Sequence, residues 1–175
     1  MIEGFALFDT ALGGCGIAWT ERGVAGVQLP ESTDDATRTR LRQRRPLARE
    51  DAPSAEAARA IDGMTALLRG ERIDLGHVVL DMEDVAPFHR RLFELARTIP
   101  AGRTSTYGEL AARLGDPSGA RAVGEALGRN PFPIVVPCHR VLAASGKLGG
   151  FSAHGGAVTK RRMLLIEGAL LELEL

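Results

Sequence analysis

Cys138 is the residue with the most chemistry gathered around it. It lies in Asn130-Pro131-Phe132-Pro133-Ile134-Val135-Val136-Pro137-Cys138-His139-Arg140-Val141, where three prolines stiffen the backbone around an apolar run. Such a frame can present one side chain at a defined point. Cysteine reacts as its thiolate, which neighbouring cations favour, and His139 and Arg140 follow directly. Adjacent residues do not normally face each other, so a bridging water is the natural route for a proton from Cys138 to His139. Glu167 is the candidate carboxylate to orient and charge-stabilise that imidazole. A bare Cys-His dipeptide more often describes a small buried hydrophobe beside a structural histidine; the proline frame and Asn130 bring the two readings close to even. Cys15 sits in an apolar strand with no base beside it and reads as core.

The elements that must hold these residues can be read from spacing. Residues 1–30 read as β structure, with apolar Phe5, Leu7, Ile17, Trp19, Val24, Val27 and Leu29 and turns at Gly13-Gly14 and Glu21-Arg22-Gly23. Thr33 to Arg45 is helix-compatible, and Pro46 to Pro53 reads as a loop. Ser54 to Arg69 is a helix on the spacing of Ala57, Ile61, Met64 and Leu68, stopped by Gly70. From Pro87, an apolar stripe of Phe88, Leu92, Leu95, Ala96 and Ile99 predicts a further helix before Pro100. Thr106 and Glu109 have capping-box spacing and start a helix to about Leu114, broken by Gly115. Asp116-Pro117 is expected to open the next helix, as cap and first helical residue, and to carry it to about Gly128. Two short helices about a tight glycine turn make a helix-turn-helix. The expected fold is an α/β N-terminal domain over 1–86, serving as scaffold. A mostly α-helical C-terminal domain over 87–175 would carry the helix-turn-helix and the active-site segment.

The second of these helices is small residues around one long cation: Ser118-Gly119-Ala120-Arg121-Ala122-Val123-Gly124. Small side chains permit close approach to a partner surface. A major-groove reader normally carries several long polar side chains, which this helix lacks. The pattern therefore fits shallow, sequence-tolerant contact in a minor groove, with Arg121 as a wedge; a tightly packed internal helix with one solvated arginine fits it equally. Net charge is zero, which by itself argues against a nucleic-acid partner. Residues 1–100, however, hold 13 Lys/Arg against 16 Asp/Glu, whereas 101–168 hold 9 against 4. A basic segment within a neutral chain can face a polyanion. Lys160, Arg161 and Arg162 read as solvated or phosphate-facing cations.

The chain has 175 residues, enough for one large domain or two small ones with a core. The lack of a membrane-spanning apolar run or a leader pattern makes the cytoplasm the expected compartment. The two cysteines are far apart and form no CxxC pair, so no metal site is legible and a disulfide is not expected in a reducing compartment.

Pro137-Cys138-His139-Arg140-Val141 resembles the active-site motif of the O6-alkylguanine-DNA alkyltransferases. Tyr107-Gly108-Glu109-Leu110-Ala111, Ala120-Arg121-Ala122-Val123-Gly124, Asn130-Pro131, Gly150-Phe151-Ser152 and Lys160 through Glu167-Gly168 fall in that family's order and near its spacing. The resemblance covers about 87–168 and is weak over 1–86. It implies that Cys138 accepts the alkyl group irreversibly, in a single turnover without cofactor. His139, through water, and Glu167 are its implied activating pair. By the same resemblance Tyr107 is expected to protonate guanine N3 or steer the target phosphate, Arg121 to replace the flipped base in the stack, and Asn130 to be a hinge amide. Gly119, Ala120, Ala122 and Gly124 are expected to approach the DNA, and Val141, Phe151, Ser152 and Tyr107 to line the substrate pocket. The implied partner is duplex DNA containing O6-alkylguanine, met by a monomer; flipping is required because O6 lies inside the helix.

Phe151 stands where the family often has Tyr, and His89 and Phe93 where it often has Gln and Trp. Ala153-His154 lengthens the loop before Gly155-Gly156, and His154 either lines the pocket or faces water. These departures are expected near the pocket and leave the preferred alkyl group open. Two other functions compete: a non-catalytic alkyl-lesion-binding relative, which Cys138 argues against, and a cysteine hydrolase using Cys138, His139 and Glu167, which leaves the Arg121 helix unexplained.

Overall fold

A computed structural model describes residues 3–170. The chain divides into two compact units, Met1–Glu83 with Pro131–Val135, and Asp84–Asn130 with Val136–Leu175. The first thus includes five residues of the proline-framed segment, which the sequence reading kept whole within 87–175.

In the first unit, β1 (Gly4–Thr10), β2 (Gly13–Thr20) and β3 (Gly23–Gln28) form antiparallel neighbours. The hairpin turns at Ala11-Leu12, one step before the expected glycine pair, because Gly13 at φ +118° already begins β2 and pairs with Thr10. α1 (Asp34–Arg44) starts where Thr33 accepts a bond from the Ala36 N–H, with acidic residues in its first turn and arginines in its last. That distribution complements the helix dipole. The expected loop 46–53 contains β4 (Arg49–Glu50), a short parallel partner of β1, so the sheet order is β3-β2-β1-β4. A two-residue strand is too short to leave a periodic signal. α2 (Ala55–Leu68) is capped by Ser54 and buries Ala57, Ala60, Met64, Leu67 and Leu68 against the sheet. Within the Pro131–Val135 strap, Ile134 is buried at φ +75°, a costly conformation for a β-branched residue.

The second unit begins with α3 (Pro87–Ala96), proline occupying its first position. Its buried face is Leu92, Phe93 and Ala96, whereas Phe88 is 37% exposed. The expected stripe chose Phe88 because spacing alone does not say which phase of the helix faces inward. β5 (Ser105–Thr106) leads into α4 (Tyr107–Arg113), whose capping box is complete: Thr106 accepts from the Glu109 N–H and Glu109 accepts from the Thr106 N–H. Gly115 at φ +92° ends the turn after α4. α5 (Ala120–Gly128) starts later than Asp116-Pro117 suggests. Asp116 instead organises a turn, accepting from the Ser118 N–H and hydroxyl and, through its carbonyl, from the Gly119 N–H. Cys138–Arg140 forms a single 3-10 turn that runs into β6 (Val141–Leu142). β6 pairs in parallel with β5, Ser105 opposite Val141 and Thr106 opposite Leu142. That pairing brings the start of α4, and hence Tyr107, beside the cysteine turn. α6 (Ala157–Ile166) closes the unit, with Glu167 at its C-cap rather than inside the helix. Among the described residues, a mixed sheet and six α-helices together make an α/β protein. No helix among the described residues is long and apolar enough to cross a membrane.

Candidate active site

Within the second unit, Cys138 opens on a cavity of about 340 Å³. Tyr107 and Arg121 line it, with Gly124, Glu125, Leu127 and Gly128 from α5 and Gly150, Phe151 and Ser152 from the loop before α6. Only 8% of the cysteine residue is exposed, and the residue forms part of the cavity wall. Burial raises the thiol above its ordinary range, opposed by a hydrogen bond from the Asn130 side chain and the charge of Lys160. At neutral pH the resting group is therefore a thiol, and a base is needed to make it a nucleophile.

That base stands next in the chain. His139 is fully buried, and its Nε2 lies 2.8 Å from Glu167 Oε1. Burial pulls the imidazole below its ordinary value, the carboxylate's opposing influence notwithstanding. Burial alone would raise Glu167, but hydrogen bonds from His139 and Arg140 outweigh it and hold the carboxyl down at about 2. An ionised carboxylate has no proton to give, so Nε2 carries the hydrogen and donates it. The neutral ring must then present a lone pair at Nδ1, and Nδ1 is a buried atom with no hydrogen-bond partner among the described residues. The two facts describe a poised proton acceptor.

Arg140 completes the grip. It donates to Glu167 Oε2 through Nε at 2.9 Å, to Oε1 at 2.8 Å through a terminal nitrogen, and to the Ile99 carbonyl at 2.7 Å. This two-pronged contact fixes the carboxylate plane, and through it the imidazole. Asn130 donates through Nδ2 to the Val136 carbonyl at 2.9 Å, closing the strap that precedes the cysteine.

Lys160 is where the sequence reading fails most clearly. It is not solvated: its exposure is 0%, and Nζ donates to the Val141 carbonyl at 2.7 Å and to the Tyr107 hydroxyl at 3.4 Å. Burial lowers it to about 8, countered by the cysteine's charge. Its neighbours Arg161 and Arg162 are exposed. The missed signal is positional. Lys160, Met163, Leu164 and Glu167 are the buried residues of this stretch, at helix spacings of three, one and three. Two charged residues thus occupy core positions of an otherwise apolar stripe. Arg140, read only as a neighbouring cation, was underestimated in the same way.

The other expected site residues sort clearly. Tyr107, Arg121, Gly124, Phe151, Ser152 and Cys138 line one cavity; His139, Glu167 and Asn130 stand behind the cysteine. Val141 does not line the cavity: its side chain is fully buried and its contribution is the carbonyl that holds Lys160. Ala122 is exposed and Gly119 and Ala120 partly so, away from the cavity wall. Arg121 reaches outward, its side chain 93% exposed and paired with Glu125 one turn on at 3.3 Å. His89 and Phe93 are not pocket residues; Phe93 is core, and His89 packs beside Phe88 and Phe93. His154 is exposed and is not part of the wall. Cys15 is fully buried, raised by burial to about 11, and unsuited to nucleophilic work. Among the described residues, no group of three His, Cys, Asp or Glu side chains could hold a metal ion.

Residues 87–169 match the family model described as 6-O-methylguanine DNA methyltransferase, DNA binding domain. A methylated-DNA–protein-cysteine methyltransferase of Methanothermobacter thermautotrophicus is 34% identical over 157 residues, covering 90% of this chain and 81% of that one. One of Mycolicibacterium paratuberculosis is 36% identical over 167 residues, covering 95% and 93%. The crystal structure of Mycobacterium tuberculosis OGT in complex with DNA superposes with a TM-score of 0.78 at 34% identity, over 95% of this chain and 93% of that one.

Proposed function

This chain belongs to the methylated-DNA–protein-cysteine methyltransferase family, and from that premise we propose that it repairs DNA by moving the alkyl group of O6-alkylguanine onto Cys138. The observation that carries the reading is a single cavity lined by Cys138, Tyr107 and the exposed Arg121. A buried proton acceptor at His139 Nδ1 stands behind it.

The step balances as follows. The Cys138 thiol gives its proton, through a bridging water, to His139 Nδ1, and the resulting imidazolium is stabilised by Glu167. The thiolate attacks the alkyl carbon from the side opposite O6. A carbon–sulfur bond forms, the carbon–oxygen bond breaks, and its electron pair moves onto the purine. Tyr107 donates a proton to that base at N3, so guanine leaves neutral. The thioether does not revert, and each molecule acts once. No cofactor enters the reaction.

To reach the sulfur the base must leave the duplex. α4 and α5 act as a helix-turn-helix whose second helix, rich in small residues, lies in the minor groove. Arg121 fills the vacated stack as a monomer engages the DNA. Asp84–Asn130 with Val136–Leu175 is the DNA-binding and reacting domain, and the N-terminal unit is its scaffold. The test is Cys138→Ala: it is expected to abolish transfer while still binding duplex DNA with O6-methylguanine. Transfer that survives the substitution excludes Cys138 as the acceptor.

A further inference from the structure

A buried lysine is expensive, and methionine would pack the same stretch of α6 without a charge to desolvate. Lys160 therefore needs a reason beyond packing. Its two hydrogen bonds supply one. The ammonium carries three N–H groups and no lone pair. Toward Lys160, then, the Tyr107 oxygen can only accept, and the hydroxyl's own hydrogen must point elsewhere. The ammonium nitrogen also lies 5.6 Å from the Tyr107 ring centroid, which holds the ring by its face. A second side is closed by Gly149, at φ +71°, where even a Cβ would lie 3.0 Å from the Tyr107 oxygen. The cavity that Tyr107 shares with Cys138 is the direction left open.

We propose that Lys160 is a positioning residue that, anchored on the Val141 carbonyl, makes Tyr107 a hydrogen donor into the cavity and thereby times departure of guanine. The proposal rests on the reading of Cys138 as acceptor and Tyr107 as proton donor. It also gives the lysine's protonation state a role. The titratable groups that face it are Tyr107 from α4 and Cys138 and His139 from the 3-10 turn. Once Lys160 loses its proton the neutral amine gains a lone pair, can accept from the tyrosine hydroxyl, and turns that hydrogen away from the substrate. Single-turnover repair is thus expected to decline as pH rises through about 8.

The experiment compares wild type, Lys160→Met, Tyr107→Phe and the double variant on duplex DNA carrying O6-methylguanine, each across pH. Either single change is expected to slow transfer by about a hundredfold, the low end for a positioned proton donor. The double variant is expected to be no slower than Tyr107→Phe, because the lysine acts through the hydroxyl. Iodoacetamide, whose leaving iodide takes up no proton, is expected to alkylate Cys138 in Lys160→Met more slowly only by the share of thiolate that the ammonium's charge no longer favours, a smaller loss than the repair loss. Multiplicative losses in the double variant, or an iodoacetamide loss as large as the repair loss, overturn the proposal. Should Lys160→Met fail to fold, wild type against Tyr107→Phe decides alone: the decline near pH 8 must vanish with the hydroxyl, and its persistence overturns the proposal. Lys160→Arg, which keeps its charge, is expected to remove the decline as well. A wild-type protein that never gains mass on Cys138 refutes the underlying transfer reading instead.

Discussion

At the scale of the residue, the site separates reactivity from exposure. Arg121 projects from α5 and pairs with the Glu125 carboxylate, an exposed pair worth a few tenths of a kcal/mol. It is free to leave that partner for DNA. Arg121→Ala is expected to slow repair in duplex DNA at least about tenfold, the cost of losing a base-replacing wedge. Reaction with free O6-benzylguanine, which needs no flipping, is expected to stay near the wild-type rate. Rates measured side by side check this, and equal losses on both substrates contradict the wedge. The candidate pair Cys138 and His139 was legible in the sequence because a proline frame, a cysteine and a histidine are adjacent there. The partners of Glu167 were only half legible: His139 was expected, whereas Arg140 was not, since a bidentate grip depends on how a 3-10 turn aims consecutive side chains.

At the scale of the element, local signals were legible wherever chemistry is local. The Thr106 cap lies where the sequence places it, and Thr33 and Ser54, read only as the first residues of helical stretches, cap theirs, because each satisfies its own helix start with its own side chain. The start of α5 was misread because Asp-Pro serves a turn as readily as a helix, and the Asp116 bonds to Ser118 and Gly119 chose the turn. β4, β5 and β6 were missed altogether; each is two residues long and is defined by its partner strand. The β5–β6 pairing matters most, since it sets Tyr107 beside the Cys138 turn. Thr106 links the two kinds of feature, ending β5 and capping α4. Thr106→Ala is expected to lower stability by about 1 kcal/mol, the usual worth of such a cap. Chemical denaturation checks it; no loss at all shows that the strand pair alone holds the helix start.

At the scale of the whole molecule, three distant chain segments converge on one carboxylate: the loop at Ile99 through Arg140, the cysteine turn, and the end of α6. Glu167 has a carboxyl depressed from 4.5 to about 2. Its contribution to stability is therefore complete above its ordinary value and is lost as pH falls through about 2. Glu167→Gln is expected to cost about 3–5 kcal/mol at neutral pH, as when one partner of a buried ion pair is removed. It is also expected to flatten the acid end of the wild-type unfolding curve. Melts of both proteins between neutral and strongly acidic pH check this; an unchanged acid limb removes Glu167 as its origin. Burial of Lys160 and Glu167 was not legible from composition, which treats every charge as solvated. The helical stripe they share with Met163 and Leu164 holds that information. All of these contacts serve one sulfur. The most direct measurement is the mass of the Cys138 peptide after the protein meets duplex DNA containing O6-methylguanine. The account predicts a gain equal to one CH₂ on Cys138, once per molecule, with unmodified guanine left in the DNA. An unchanged Cys138 peptide, or a gain carried by any other residue, contradicts it.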